Sequence, residues 1–241
     1  MKIRAVIFDI YKTLLDVQPS RVDAEVRWAA LWRETFEGTP RLDLAGFTAA
    51  CKVVIAREHT TAHAAGIAYP EIYWPDVVGE VLPESASLTV AHRDAFLVHH
   101  AGLTHALRLM PGVPEVLRRL LERGLPLGLA SNSQPYTLTE LEMAFATAEL
   151  KADIFHPSLQ FLSFEHGFSK PDPHVFRLLT ARLRGLGIAA GETLMVGDRL
   201  DNDIAPAKAQ GFQTWHLNSV AGTEPNAGDW AALNRHLERE L

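Results

Sequence analysis

Two short apolar runs, nearly the whole chain apart, each stop on an aspartate. Residues 3–8 lead into Asp9, and residues 193–197 lead into Asp198, with Asp203 five positions further on. A strand with so little polar surface belongs inside a parallel sheet covered on both faces. Its C-terminal end opens onto the edge where such sheets gather ligands. Two carboxylates are thus delivered to sheet edges, with the strand end Ser131-Asn132 and the loop Lys170-Pro171 between them in sequence. Packing alone hardly explains that pattern. It points to a nucleophilic carboxylate and a divalent metal.

The rest of the chain fits this reading. Its 241 residues, 47% of them hydrophobic, suffice for one large domain or for a core carrying a smaller one. A formal charge of −6 and a pI near 6.0 argue against a nucleic-acid partner, which calls for a basic stripe. The longest apolar runs are only strand-length and the chain opens on a strand, so neither a secretory signal nor a membrane span is expected. A soluble cytoplasmic protein, monomer or homodimer, with a small anionic substrate is the expectation. The single cysteine, Cys51, excludes an internal disulfide, and its Ala/Val/Ile-rich surroundings make it a small buried filler rather than a reactive thiol.

Periodicity divides the chain. Residues 1–15 read as one buried strand and a polar turn. From about residue 19 to 105 the pattern is helical: residues 21–36 carry Val22, Val26, Ala29, Ala30 and Trp32 at helical spacing, residues 44–65 repeat the pattern, and residues 89–109 read as a further helix or pair of helices. From residue 111 helix and strand alternate, with strands expected at 125–130, 154–156, 193–196 and 214–217. Alternation of this kind implies an α/β fold, a doubly wound Rossmann-like parallel sheet. The expected organisation is a catalytic core of residues 1–15 and 106–241, with a helical cap of residues 16–105 inserted after the first strand.

Four segments carry the chemistry: Asp9-Ile10-Tyr11-Lys12-Thr13-Leu14, Ser131-Asn132, Lys170-Pro171-Asp172-Pro173, and Gly197-Asp198 with Asn202-Asp203. Asp9 can attack an electrophilic phosphorus or carbon and split hydrolysis into two displacements. Lys170 can hold Asp9 and an anionic substrate group together. Ser131 and Asn132 stand where a strand gives way to a helix, so their hydroxyl, amide and backbone N–H groups can cradle an oxyanion or simply cap that helix. Thr13 is expected to bond locally and fix the turn. Taken in order, each at a strand end or the loop beside it, the four segments resemble those of the haloacid dehalogenase superfamily of hydrolases. The resemblance covers residues 1–15 and about 111–217, and the block between resembles that family's helical cap. It implies Mg²⁺ held by Asp9, Asp198 and the backbone carbonyl of Tyr11. Asp203 then acts from behind the metal ligands or holds Lys170.

Tyr11 departs from the pattern. Phosphatases of the resembled family usually carry a second Asp there, which protonates the leaving group and then activates water. A tyrosine phenol, with a pKa near ~10, is a poor general base near neutrality. The metal site needs only the backbone carbonyl and survives the change. An aromatic residue at this position resembles the 2-haloacid dehalogenase branch, in which the nucleophile attacks carbon and no acid is needed. Asp198 resembles the metal-dependent phosphatases instead, and Phe176 stands where dehalogenases tend to have Tyr. The leading expectation is a Mg²⁺-dependent phosphatase working through an aspartyl-phosphate on Asp9. The alternatives are a metal-independent haloacid dehalogenase and a binding protein that has lost turnover.

Within the helical block the signals are weaker. His59 and His63 have metal-ligand spacing on one helix but no obvious third ligand, and surface histidines are the simpler reading; His99, His100 and His105 are read with the same caution. Trp28, Trp32, Tyr69, Tyr73 and Trp74 either line a pocket over the substrate or pack the helices together. Arg33 and Arg57 are candidate substrate contacts by location alone. Lys12 is read as solvated.

Overall fold

The computed structural model describes residues 2–20, 23–218 and 226–241. Among them the chain forms, in order, β1 (Ala5–Phe8), β2 (Leu15–Pro19), α1 (Ala24–Phe36), α2 (Leu44–Ala64), α3 (Trp74–Val81), α4 (Val90–Ala101), β3 (His105–Leu109), α5 (Val113–Glu122), β4 (Leu127–Ser131), α6 (Tyr136–Ala146), β5 (Phe155–Leu162), α7 (Pro173–Gly185), β6 (Thr193–Gly197), α8 (Ala205–Ala209), β7 (Gln213–Leu217), β8 (Ala227–Gly228) and α9 (Trp230–Glu240). Six strands make one sheet in the order β5-β4-β1-β6-β7-β8, and every neighbouring pair is parallel. The expected doubly wound α/β sheet is present.

The apolar runs become strands because both sheet faces are covered. On one side Val6, Phe8, Leu129 and Val196 pack with Val116 and Leu120 of α5, Leu141 of α6 and Leu233 of α9. On the other, Ala5, Ile7 and Met195 meet Val175, Phe176 and Leu179 of α7. Successive residues of β1 thus feed opposite layers, which is the strand period of two applied to a sheet with no wet face. Phe176 belongs to this core, edge-on to Phe212. The chain builds outward from β1 toward β4 and β5, then returns to the other side for β6, β7 and β8. The switch falls between β1 and β6, where ligands of such sheets bind, and these are the two strands that end on Asp9 and Asp198.

Helices start where the sequence supplies an acceptor. Asp23 accepts from the amides of Glu25 and Val26, Asp43 from Gly46, Asp172 from His174 and Asp229 from Ala232. The C-terminal α9 reaches back to β1: the Trp230 indole stacks on Phe8, 6.0 Å between centroids, and its Nε1–H donates to the Thr13 carbonyl at 3.2 Å. Gly112 lets it approach, since a Cβ there would lie 2.8 Å from that of Trp230.

The block between β2 and β3 has its own apolar centre, built from Trp28, Trp32, Phe47, Cys51, Val78 and Phe96. Cys51 is the buried filler expected, its thiol pushed up to about 12 by burial. The aromatics divide: Trp28 and Trp32 pack the helices, whereas Tyr69 and Tyr73 are exposed. Two expectations need correction. Residues 89–109 are not all helical, because after α4 the alternating His105-Ala-Leu-Arg-Leu forms β3. It pairs antiparallel with β2, from Leu15 opposite Leu109 to Pro19 opposite His105. The block is therefore entered and left through a two-stranded ribbon that helical periodicity does not reveal. The strand expected at 154–156 is the eight-residue β5. The first helix begins at Ala24, and Arg21 and Val22 lie outside the described residues. No helix among the described residues is long and apolar enough to cross a membrane.

Candidate active site

Lys170 is the centre of the site. Its ammonium donates to Asp9 Oδ1 at 2.7 Å, to Asp203 Oδ1 at 2.5 Å and to the Ala130 carbonyl at 2.6 Å, and the side chain is only 2% exposed. Three acceptors fill its three N–H groups. Asp203 is bonded through both oxygens, because its Oδ2 accepts from the Arg199 amide at 3.0 Å. A Cβ on Gly197 would run into this carboxylate, which accounts for glycine at the end of β6. Asp203 therefore holds Lys170, as one of the two sequence expectations had it.

Asn132 behaves differently from its expected role. Its Oδ1 accepts from the Lys170 amide at 2.7 Å, and its Nδ2 donates to the Lys170 carbonyl at 2.8 Å. Both ends of the side-chain amide thus bond the lysine loop. Ser131 and Thr13 are the complement. Ser131 Oγ and Thr13 Oγ1 are buried and have no hydrogen-bond partner. The local bond of Thr13 is made by its amide, which donates to the Ile10 carbonyl at 3.3 Å, and not by its hydroxyl. A buried hydroxyl without a partner calls for an explanation, and a bound ligand is one.

The carboxylates crowd one another. Asp9, Asp198 and Asp203 each offer an oxygen, all within 4.8 Å. Burial pushes the Asp9 carboxyl up to about 6 against the pull of Lys170, with repulsion from Asp203 and Asp198 adding to the rise. Asp198 is raised too, by burial and then by Asp203. One ammonium facing three carboxylates leaves an excess of negative charge that a hard dication would offset. The group could hold a metal. Asp203 already accepts through both oxygens, from Lys170 and Arg199, whereas Asp9 accepts from Lys170 through Oδ1. The turn after Asp9 closes with bonds to the carbonyls of Ile10 and Leu15, not to that of Tyr11.

The Tyr11 side chain points into α6. Its hydroxyl bonds Glu140 Oε2 at 2.5 Å and Thr137 Oγ1 at 2.9 Å, and Glu140 Oε1 meets His105 Nε2 at 3.1 Å. Burial first, then the neighbouring Glu140, drives the phenol far above its ordinary range. Tyr11 stays protonated and donates to Glu140, so it cannot serve as a base. Glu140 escaped the sequence reading. The available signal was its place on the buried stripe of α6 with Thr137, Leu141 and Ala144.

The block's candidates make other contacts. Arg57 is exposed and paired with Glu58 and Glu80, and Arg33 is exposed. His59 and His63 sit 6.4 Å apart, and the three aspartates form the only metal-type cluster among the described residues. His100 is no surface residue: it packs against Trp28, Phe47, Trp74 and Phe96. Lys12 borders a cavity of ≈ 740 Å³ shared with Asp198, Met110 and Trp230.

The chain is 37% identical over 108 residues to the glyceraldehyde 3-phosphate phosphatase of Pyrococcus abyssi, a match covering 45% of this chain and 42% of that one. It thus spans less than half the length of that relative. Phosphoglycolate phosphatase of Rhodospirillum rubrum is 28% identical over 225 residues, 93% of this chain and 83% of the relative. The crystal structure of a 2-haloacid dehalogenase from Pseudomonas syringae superposes with a TM-score of 0.61 at 21% identity, over 99% of this chain and 100% of that one, and so shares the fold. A family model described as haloacid dehalogenase-like hydrolase matches residues 3–211, and the chain belongs to that family.

Proposed function

We propose that the protein is a Mg²⁺-dependent phosphatase of small phosphate monoesters. The observation that carries this reading is the buried Lys170 ammonium bridging Asp9 and Asp203 beside the partnerless Ser131 hydroxyl. Asp9 attacks phosphorus, the ester oxygen leaves, and water then cleaves the aspartyl-phosphate. Lys170, Ser131, Thr13 and the Asn132 amide N–H neutralise the equatorial oxygens, where most stabilisation in phosphoryl transfer lies. Asp9, Asp198 and the Tyr11 carbonyl would hold Mg²⁺, which would add to the charge neutralisation. Asp203 positions Lys170, and the helical block acts as the lid that selects the substrate. Phosphatase names among the relatives support this reading over the carbon–halogen one, which rests on Tyr11 alone.

Because the Tyr11 hydroxyl is committed to Glu140, leaving-group protonation has no donor at that position. Aryl phosphates, with good leaving groups, should therefore turn over faster than alkyl phosphates. The test is hydrolysis of para-nitrophenyl phosphate by wild type and Asp9→Asn, with Mg²⁺ and with EDTA. Metal-dependent release lost in the variant is the expected result. Chloride release from 2-chloropropionate that survives EDTA, without phosphatase activity, would overturn the reading.

A further inference from the structure

One polar link joins the helical block to both anion-site loops, and its residues have no part in the chemistry above. The segment 69–74, between α2 and α3, lies along the stretch that leads to Lys170. The Glu71 amide donates to the Gly167 carbonyl at 3.1 Å, the Ser169 amide donates to the Tyr69 carbonyl at 2.9 Å, and Pro70 pairs with Phe168. Side chains extend the link to the Ser131 loop. Glu71 Oε2 accepts from Ser163 Oγ at 2.6 Å, and Ser163 Oγ in turn accepts from the Ser133 amide at 2.8 Å. Glu71 Oε1 accepts from Gln134 Nε2 at 3.0 Å, while Gln134 Oε1 accepts from the Trp74 amide at 2.8 Å. Ser163, Ser133 and Gln134 are all buried.

The direction of these bonds matters. A serine hydroxyl has one hydrogen. With that hydrogen given to the Glu71 carboxylate, the oxygen is left to accept from Ser133, two residues beyond the Ser131 hydroxyl that awaits a ligand. Without Glu71 the Ser163 hydrogen can turn to the Ser133 carbonyl, 3.2 Å away, and the loop loses its outside anchor. Phosphoryl transfer depends on placing such groups accurately, and small displacements are expensive in rate.

We infer that Glu71 is a positioning residue: seated between Ser163 and Gln134, it makes docking of the helical block and ordering of the anion cradle a single event. It touches no reacting atom in this assignment. The kinetic part rests on the phosphatase reading; the structural part does not.

Two readouts test it. Hydrogen exchange is measured on wild type, Glu71→Ala, Ser163→Ala and Glu71→Gln. Both alanine variants should exchange faster at the Ser133 and Ser169 amides, with the β1 and β6 amides unchanged. On para-nitrophenyl phosphate, Glu71→Ala should lose kcat on the order of tenfold, and inorganic phosphate should inhibit it more weakly. Glu71→Gln keeps an acceptor for Gln134 but reverses the Ser163 bond and frees that hydroxyl's hydrogen, so it should recover only part of the loss. Unchanged exchange at Ser133, or a lower Tm with wild-type kcat and KM, would overturn the inference. If wild type hydrolyses no phosphate ester, the phosphatase reading fails and exchange alone decides the role of Glu71.

Discussion

The sheet edge and the helical block bury polar groups in opposite ways. At the edge Lys170 and Asp203 are almost wholly enclosed, and each is held by several charge-assisted bonds. In the block His100 sits among four aromatic rings. Desolvation there pushes it down to about 4, with help from nearby His105, so it is neutral near pH 7. The block avoids charge, whereas the edge keeps it and surrounds it with partners. Enclosed charge is costly unless paired, and at the edge the enclosed Lys170 is paired with both Asp9 and Asp203.

The contrast breaks most visibly at Lys170. Lys170→Met leaves Asp9 and Asp203 facing each other without a cation. kcat/KM should fall by at least about 10³-fold, and stability by roughly 3–5 kcal/mol, read from para-nitrophenyl phosphate kinetics and urea midpoints. If the variant were as stable as wild type, the edge would not depend on pairing at all.

A smaller effect sharpens the comparison from the block's side. His100 has a folded value below its ordinary 6.5, so the unfolded chain binds this proton first. Its contribution is whole above about 6.5 and is lost as pH falls toward about 4. His100→Phe should therefore lose less Tm than wild type between pH 7 and pH 5, with unchanged turnover at pH 7. An identical pH slope in the two proteins would show that the ring is hydrated.

The smallest effect is expected where charge is merely on the surface. Arg57 bonds Glu80 and Glu58 through exposed side chains. Such pairs contribute little. Arg57→Ala should leave both Tm and kcat/KM where they were; a rise in KM would return Arg57 to the substrate site.

How much of this was legible depended on the range of each interaction. Asp9 and Asp198 could be read because an apolar strand ending on a carboxylate is a local pattern, and the covered sheet dictates where it points. Lys170 was legible through its loop, but its third acceptor, the Ala130 carbonyl, was not. Asn132 was recognised as a site residue, yet its partner lies 38 positions away, and nothing local says that both ends of the amide are already committed. Tyr11 looked out of place at once, whereas its bond to Glu140 spans 129 positions and is settled only by packing of the turn on α6. The β2–β3 ribbon was missed for another reason. Leu15-Asp-Val-Gln-Pro alternates weakly, and His105-Ala-Leu-Arg-Leu follows a helix so closely that its period of two is absorbed into the helical one.

The Trp230 indole gives the last helix a meaning that its position would not suggest. It lies beyond the stretch matched by the family model, yet it caps Phe8 and holds the Thr13 carbonyl, one residue on either side of the segment 9–12. The Asp9 turn is thus clamped from both flanks by a part of the chain that the matched family pattern does not include. A change in the C-terminal helix can therefore shift the Asp9 carboxylate without replacing any side chain of the charged cluster.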